Sequence, residues 1–146
     1  MGVSVGSAIL ALSAKLENPL PALPAHADPL VEATALRAQW EKAFNAWNFD
    51  QLVALYAEDA QFFGSTPELK TGRDGIRAYF SKLPAGAWNA RMGEHAVTSI
   101  GSGVLLSAGF VDFTHDGKAL PYRLTFVLVK RGETWLIAQH HASPKG

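Results

Sequence analysis

The stretch from Leu120 to Ser143 reads LPYRLTFVLVK, RGET and WLIAQHHAS, and it carries the strongest fold signal in the chain. Two runs rich in β-branched and aromatic residues flank a short turn that contains Gly132, which is typical of a β-hairpin. Each run has about ten residues, so each strand would reach roughly 33 Å at about 3.3 Å per residue. Strands of this length usually curl, and we expect the rest of the domain to wrap around this curled hairpin.

The segments before the hairpin change from a helical to a strand-like pattern. Asp28 and Pro29 predict a helix start, and apolar residues then recur at three- and four-residue steps as far as Trp47. Further helices are predicted over residues 49–57 and 76–83, and strands over residues 60–63, 91–100 and 104–114. Helices come first and an antiparallel meander follows, so the predicted fold class is α+β, with a bent antiparallel sheet around three N-terminal helices.

Length and composition limit the class of protein. The 146 residues carry zero formal net charge and no cysteine. One domain over residues 28–146 fits this length. Because nucleic-acid and anionic-membrane partners require a basic face, we expect neither partner, and no thiolate chemistry is available. Residues 1–27 are interpreted as a flexible arm or an atypical export signal, so the sequence leaves a cytoplasmic and an exported location both open.

The first strand of the hairpin is apolar on both faces. Leu124, Phe126 and Leu128 occupy one face, and Thr125, Val127 and Val129 occupy the other. A sheet with one face in solvent normally alternates apolar and polar residues. Three helices cover only one face, so the sequence predicts a homodimer through the outer face of the sheet, with cover by the N-terminal arm as the alternative.

Four segments together resemble a known superfamily. They are the long helix with Trp40 and Trp47, the run DQLVALYAEDA from Asp50, the motif GRDGI from Gly72, and the ending WLIAQHHAS. Over residues 29–143 the chain resembles the nuclear-transport-factor-2-like superfamily, and within it the SnoaL-like and DUF4440 branch, which includes SgcJ/EcaC-type proteins. The resemblance implies a cone of sheet around three helices, with a pocket, and it implies dimers. It does not imply a single chemistry.

The last strand supplies the catalytic candidates. Trp135 and Ile137 are natural core residues, and strict alternation places His141 and Ser143 on the same inward face, with His140 pointing away. If the turn comprises residues 131–133, Arg123 lies opposite His141. Histidine beside arginine is a plausible acid–base or anion-binding pair. The alternatives are a histidine hydrogen-bonded within the core and an arginine paired with Asp112 or Glu94.

Six residues complete the predicted site. Asp112 sits in an apolar strand, where a buried carboxylate requires a partner or takes a raised pKa, so it is a third catalytic candidate. His95 and Ser143 are candidate ligand-binding residues. The aromatic residues Trp40, Tyr56 and Phe62 are either core or cavity lining, and Tyr56 could donate a hydrogen bond to a ligand oxygen.

No metal or cofactor site is predicted. His140 and His141 are adjacent and point to opposite faces of a regular strand, so they cannot both bind the same ion. The motif Gly72-x-x-Gly75 lacks the preceding strand and the full spacing of a dinucleotide site.

Two functions remain open from the sequence. The first is a small cofactor-independent cyclase, isomerase or dehydratase that acts on a mostly apolar carbonyl metabolite. In that enzyme His141 would be the acid–base group, and Arg123 or Tyr56 would stabilise an enolate oxygen. The second is a non-catalytic domain that binds a small apolar ligand or mediates dimerisation.

Overall fold

The computed structural model describes residues 28–146, which form three helices and six strands. The predicted arm or export signal in residues 1–27 lies outside the described residues. In chain order the elements are α1 (Pro29–Asn45), α2 (Phe49–Ala54), β1 (Tyr56–Phe63), β2 (Lys70–Thr71), α3 (Gly72–Ser81), β3 (Trp88–Gly101), β4 (Val104–His115), β5 (Lys118–Arg131) and β6 (Thr134–Pro144).

The helix starts follow the capping residues in the sequence. The Asp28 carboxylate accepts a hydrogen bond from the Leu30 backbone N–H at 2.9 Å, with Pro29 in the first turn, as expected for a helix N-terminus. Asn48 caps α2 by accepting from the Gln51 N–H at 3.1 Å. The apolar face of α1 is buried and contains Ala33, Leu36, Trp40, Ala43 and Phe44.

The second helix is shorter than the predicted range of residues 49–57. It ends at Ala54, and Tyr56 begins β1. The Leu55 carbonyl accepts a hydrogen bond from the Ile137 N–H at 2.8 Å, which joins this segment to β6. Strand pairing has therefore overridden the helical spacing of Leu52 and Tyr56, as tertiary contacts often override local propensity.

The sheet is mixed rather than fully antiparallel. Its strand order is β2-β1-β6-β5-β4-β3, and β1 runs parallel to β6 while the other neighbours are antiparallel. The predicted α+β class is confirmed, and the expectation of a purely antiparallel sheet is wrong. The reason is that β1, which follows α2, does not extend the meander at β3. It pairs with β6 at the other edge, and there it runs parallel to its neighbour.

The hairpin turn between β5 and β6 is one residue shorter than the three-residue turn considered above. Arg131 pairs with Thr134, and Gly132 at the turn has a φ of +65°, a conformation that favours glycine. The shorter turn and an extra residue in β6 at Ala138 each shift the register by one, so Arg123 pairs with Ser143, and the predicted pairing of Arg123 with His141 is wrong.

The two faces of β5 have different surroundings. Leu124, Phe126 and Leu128 are buried against the helices, whereas the Val127 and Val129 side chains on the opposite face are half-buried. The core therefore lies between the helices and the inner face of the sheet.

Candidate functional site

The histidine inside the fold is His140, and the prediction that His141 points inward is wrong. His140 is 3% exposed, and His141 is exposed. Along β6, Ile137 pairs with Leu128 and Gln139 pairs with Val127, so Ala138 has no partner on β5. This extra residue is a β-bulge, and it reverses the alternation of side chains. As a result, Ile137 and His140 face the core together.

The inner face of the sheet and the helices line a cavity of about 60 Å³ that is partly open to solvent. A buried water molecule requires roughly 10–15 Å³ of such space, so the cavity has room for a few waters or one small organic molecule. The rings that line it belong to Trp40, Phe44, Phe62, Tyr79, Phe80, Trp88, Phe113, Tyr122 and His140. Within residues 28–146, no carboxylate, ammonium or guanidinium group lines this space.

A chain of three hydrogen-bonded side chains reaches this cavity from the core. The Trp40 indole N–H donates to the Tyr56 hydroxyl oxygen at 2.8 Å. The same oxygen lies 2.8 Å from Nδ1 of His140. All three residues are buried. They come from α1, β1 and β6, so the chain joins the first helix to both strands of the parallel pair.

The two titratable groups of this hydrogen-bonded series, Tyr56 and His140, are both neutral at physiological pH. Burial lowers the pKa of His140 to about 3, and the neighbouring His141 lowers it further in the same direction. Burial raises the pKa of Tyr56 above its ordinary value, although the hydrogen bond from Trp40 acts in the opposite direction. His140 therefore acts as a neutral imidazole and a very weak base.

One ring nitrogen of His140 is available to a ligand. Nδ1 is engaged by Tyr56, and Nε2 has no hydrogen-bond partner among residues 28–146. The ring packs against Phe62 and Phe126, with centroid separations of 4.2 Å and 5.3 Å. Since the imidazole lines the cavity, Nε2 is a polar atom set among aromatic surfaces.

The hydroxyl groups that line the cavity belong to Ser65, Tyr79 and Tyr122, which are exposed or half-buried. The Tyr79 hydroxyl accepts from the Ser65 backbone N–H at 2.8 Å and is also 2.8 Å from the Ser65 hydroxyl. The Tyr122 hydroxyl has no partner within the described part of the chain, and Tyr122 is half-buried. Tyr122 pairs with Pro144, which lies four residues beyond His140 on β6. The backbones of Tyr122 and His140 are therefore about 13 Å apart along the strand direction.

The three catalytic candidates do not meet in this cavity. Arg123 is exposed and donates to the Pro144 carbonyl at 3.0 Å. Asp112 is also exposed, with its carboxylate 3.9 Å from the Arg91 guanidinium, so the expectation of a buried carboxylate is wrong. Together with His141, they lie on the outer face of the sheet, because each is offset by one residue from an inward neighbour.

The candidate ligand-binding residues are divided between several places. Trp40 and Phe62 line the cavity, and Tyr56 lies behind His140 as its hydrogen-bond partner. Ser143 pairs with Arg123 on the outer face. His95 lies apart from the cavity lining, in a polar cluster with Thr34 and Ser107.

That cluster connects α1 to β3 and β4. His95 Nε2 is 3.0 Å from the Thr34 hydroxyl, and its Nδ1 is 2.8 Å from the Ser107 hydroxyl. Arg37, which is 2% exposed, donates to the Gly93 and Phe110 carbonyls at 3.0 Å and 2.9 Å. Burial lowers the pKa of Arg37 to about 10, which still leaves it charged. These contacts hold the irregular part of β3 against the helix.

Two classes of site are not found in the described residues. Residues 28–146 contain no group of three or more histidine, aspartate or glutamate side chains placed to hold a metal ion. Within the same residues, no helix is both long and apolar enough to span a bilayer.

Three helices over one face of a six-stranded sheet, with an aromatic cavity between them, define the nuclear-transport-factor-2-like or cystatin-like fold, which similar solved structures share. The family profile of the SnoaL-like domain matches residues 33–145, and the chain belongs to this family. The resemblance identified in the sequence is confirmed at this level. No curated protein matches the chain.

Solved structures of relatives have diverse names. A Xanthomonas campestris protein named for the calcium/calmodulin-dependent kinase II association domain is 29% identical, with 84% of this chain and 91% of that chain covered and a TM-score of 0.72. A DUF3225-family protein of unknown function from Pectobacterium atrosepticum is 27% identical, with 85% and 98% covered and a TM-score of 0.66. A ketosteroid isomerase-like protein from Erwinia carotovora atroseptica, at 16% identity, coverages of 82% and 98% and a TM-score of 0.69, shares the fold alone.

Proposed function

We propose that this protein binds a small, uncharged, mostly apolar compound in the aromatic cavity, and that His140 hydrogen-bonds the polar atom of that compound. The observation that carries this proposal is a neutral imidazole with one free ring nitrogen in a cavity lined by aromatic rings. Ligand sites commonly combine apolar walls with a few well-placed polar groups. A charged ligand is disfavoured because the lining offers no opposite charge to compensate its desolvation.

Binding accounts for the cavity better than acid–base catalysis does. A general base must have a suitable pKa and reach the substrate proton. His140 has a pKa of about 3, and its Nδ1 is engaged by Tyr56. His141, Arg123 and Asp112 lie on the opposite side of the sheet. The earlier hypothesis of a cyclase, isomerase or dehydratase therefore lacks a base among the cavity residues, although a neutral imidazole N–H is able to polarise a carbonyl group.

Because the cavity is small and partly open to solvent, small rings that can project from it are suitable probes for a test. Cyclopentanone and cyclopentane have similar bulk and differ in a single hydrogen-bond acceptor. Trp40 and Trp88 line the cavity, so tryptophan fluorescence of the full chain reports on its occupancy. We expect saturable binding of both compounds, with cyclopentanone binding about fivefold more tightly because one buried hydrogen bond contributes about 1 kcal/mol.

Two variants identify the residue responsible for this preference. His140→Phe removes the ring nitrogen from the cavity, and the preference for the ketone should disappear. His141→Phe changes the neighbouring residue on the outer face and should leave both affinities unchanged. Equal affinity of the wild-type protein for the two compounds, or no saturable binding of either, would contradict the proposal without reference to any variant.

A further inference from the structure

We infer that Tyr56, held by Trp40, fixes the tautomer of His140, so that the cavity presents an N–H donor at Nε2 and selects ligands that carry a hydrogen-bond acceptor. Tyr56 is then a positioning residue that acts on the ligand through His140. The ligand class would comprise ketones, aldehydes, esters and ethers. This part of the inference rests on the proposed binding function, whereas the tautomer itself does not.

The direction of the hydrogen bonds follows from the indole. Tryptophan Nε1–H is a donor only, so the Tyr56 oxygen must accept from Trp40. The Tyr56 hydroxyl still has one hydrogen to donate. Within residues 28–146, the acceptor in reach of it is Nδ1 of His140 at 2.8 Å. Donation to Nδ1 requires that this nitrogen carry a lone pair, which places the imidazole proton on Nε2.

The opposite tautomer leaves a buried group unsatisfied. If Nδ1 carried the proton, the Tyr56 oxygen would accept from both Trp40 and His140. The Tyr56 hydrogen would then have no acceptor among the described residues, in a site where the tyrosine is completely buried. An unsatisfied buried donor is costly, and we expect the Nε2–H tautomer to be favoured at least about tenfold.

Packing prevents the ring from escaping this arrangement. The imidazole packs against the rings of Phe62 and Phe126, and the Tyr56 ring is inclined to it by 28° at a centroid separation of 6.0 Å. Rotation of the ring by 180° would exchange Nδ1 for a carbon and break the hydrogen bond to Tyr56. The donor at Nε2 is therefore fixed in position as well as in polarity.

The tautomer is measured directly on the unliganded protein. A long-range ¹H–¹⁵N correlation spectrum of the histidine-labelled full chain at pH 7 distinguishes a protonated from an unprotonated ring nitrogen. We expect His140 to show Nε2 protonated and Nδ1 unprotonated. A spectrum with Nδ1 protonated, or with both forms populated comparably, would overturn the inference. Because this readout uses the wild-type protein, it does not depend on any variant folding.

Tyr56→Phe tests the positioning role. Loss of the hydroxyl removes the donor to Nδ1, and we expect the second tautomer to become populated. If His140 remained entirely in the Nε2–H form in a folded Tyr56→Phe protein, Tyr56 would not be the residue that fixes it.

Selectivity is tested with three five-membered rings of similar size. Tetrahydrofuran is an acceptor, pyrrole is an N–H donor, and cyclopentane is neither. We expect tetrahydrofuran to bind about fivefold more tightly than cyclopentane, and pyrrole to gain nothing from its N–H. Tighter binding of pyrrole than of tetrahydrofuran would contradict the selectivity. If none of the rings binds while the tautomer is as expected, the binding function fails and the positioning role of Tyr56 stands.

Discussion

At the scale of single residues, the sequence predicted more of the cavity wall than of its chemistry. Trp40, Tyr56 and Phe62 were predicted as core or cavity-lining residues, and the structure places Trp40 and Phe62 on the cavity and Tyr56 behind His140. His140 was assigned to the outer face, although it is the buried histidine. Residue type alone did not separate two adjacent histidines, because the difference between them comes from which face of the strand each occupies.

The burial of neutral His140 should make the protein sensitive to acid. Its pKa in the folded protein is about 3, below the value of about 6.5 for an exposed histidine. Between these values the unfolded chain binds a proton that the folded chain does not bind. The free energy of unfolding therefore rises with pH through this window and levels off near pH 7. Urea denaturation should show a loss of about 2 kcal/mol from this residue between pH 7.5 and pH 5.

The variant His140→Phe isolates this contribution. Burial also lowers the pKa of the half-buried His95, so the wild-type curve contains more than one histidine. We expect the loss on acidification to be about 2 kcal/mol smaller in His140→Phe than in the wild-type protein, whereas His141→Phe should follow the wild-type curve. An equal loss in wild type and His140→Phe would show that His140 is not buried in its neutral form.

At the scale of elements, the boundaries set by local chemistry were predictable. Asp28 caps α1, as the sequence indicated, because capping depends on neighbouring residues, and Asn48 caps α2. Asp116 and Gly117 form the turn that joins β4 to β5, and Gly132 lies in the turn that joins β5 to β6. Both turns connect the expected antiparallel strands. The early end of α2 was not predictable, because it depends on pairing between β1 and β6, which are far apart in sequence.

The bulge at Ala138 explains why the predicted site was wrong. A bulge inserts one residue into one strand, and alternation beyond it is reversed. The sequence around Ala138 has no glycine or proline that would indicate an irregular strand. The inward face assigned from Trp135 and Ile137 was therefore extended to His141 with period two, although the alternation changes between Ile137 and His140. Register errors of one residue have this consequence wherever one face is buried.

At the scale of the whole molecule, one part of the outer face of the sheet is apolar, whereas Arg123, Asp112 and His141 are exposed polar side chains on the same face. Leu106, Phe110, Val127 and Val129 lie on this face and are half-buried in the single chain. The homodimer through this face stays a prediction from the sequence. Sedimentation equilibrium of the full chain should give twice the monomer mass, and Val127→Arg should give the monomer because a charge at a paired apolar surface is costly. A wild-type monomer at high micromolar concentration would contradict it.

The two faces of the sheet are expected to have separate roles, in ligand binding and in contact between copies. The inner face carries the cavity, and the outer face carries the predicted contact between copies. Val127→Arg is expected to leave cyclopentanone affinity unchanged, because Val127 is absent from the cavity lining. Family membership establishes the fold, and the proposed ligand preference depends on the few side chains around His140.

The most direct test of the cavity assignment is a crystal structure of the full chain with cyclopentanone bound. We predict that the ring lies among the cavity aromatics, with the ketone oxygen about 2.9 Å from Nε2 of His140. A ketone bound on the outer face beside His141, or one inside the cavity with its oxygen directed away from His140, would show that His140 does not bind the ligand.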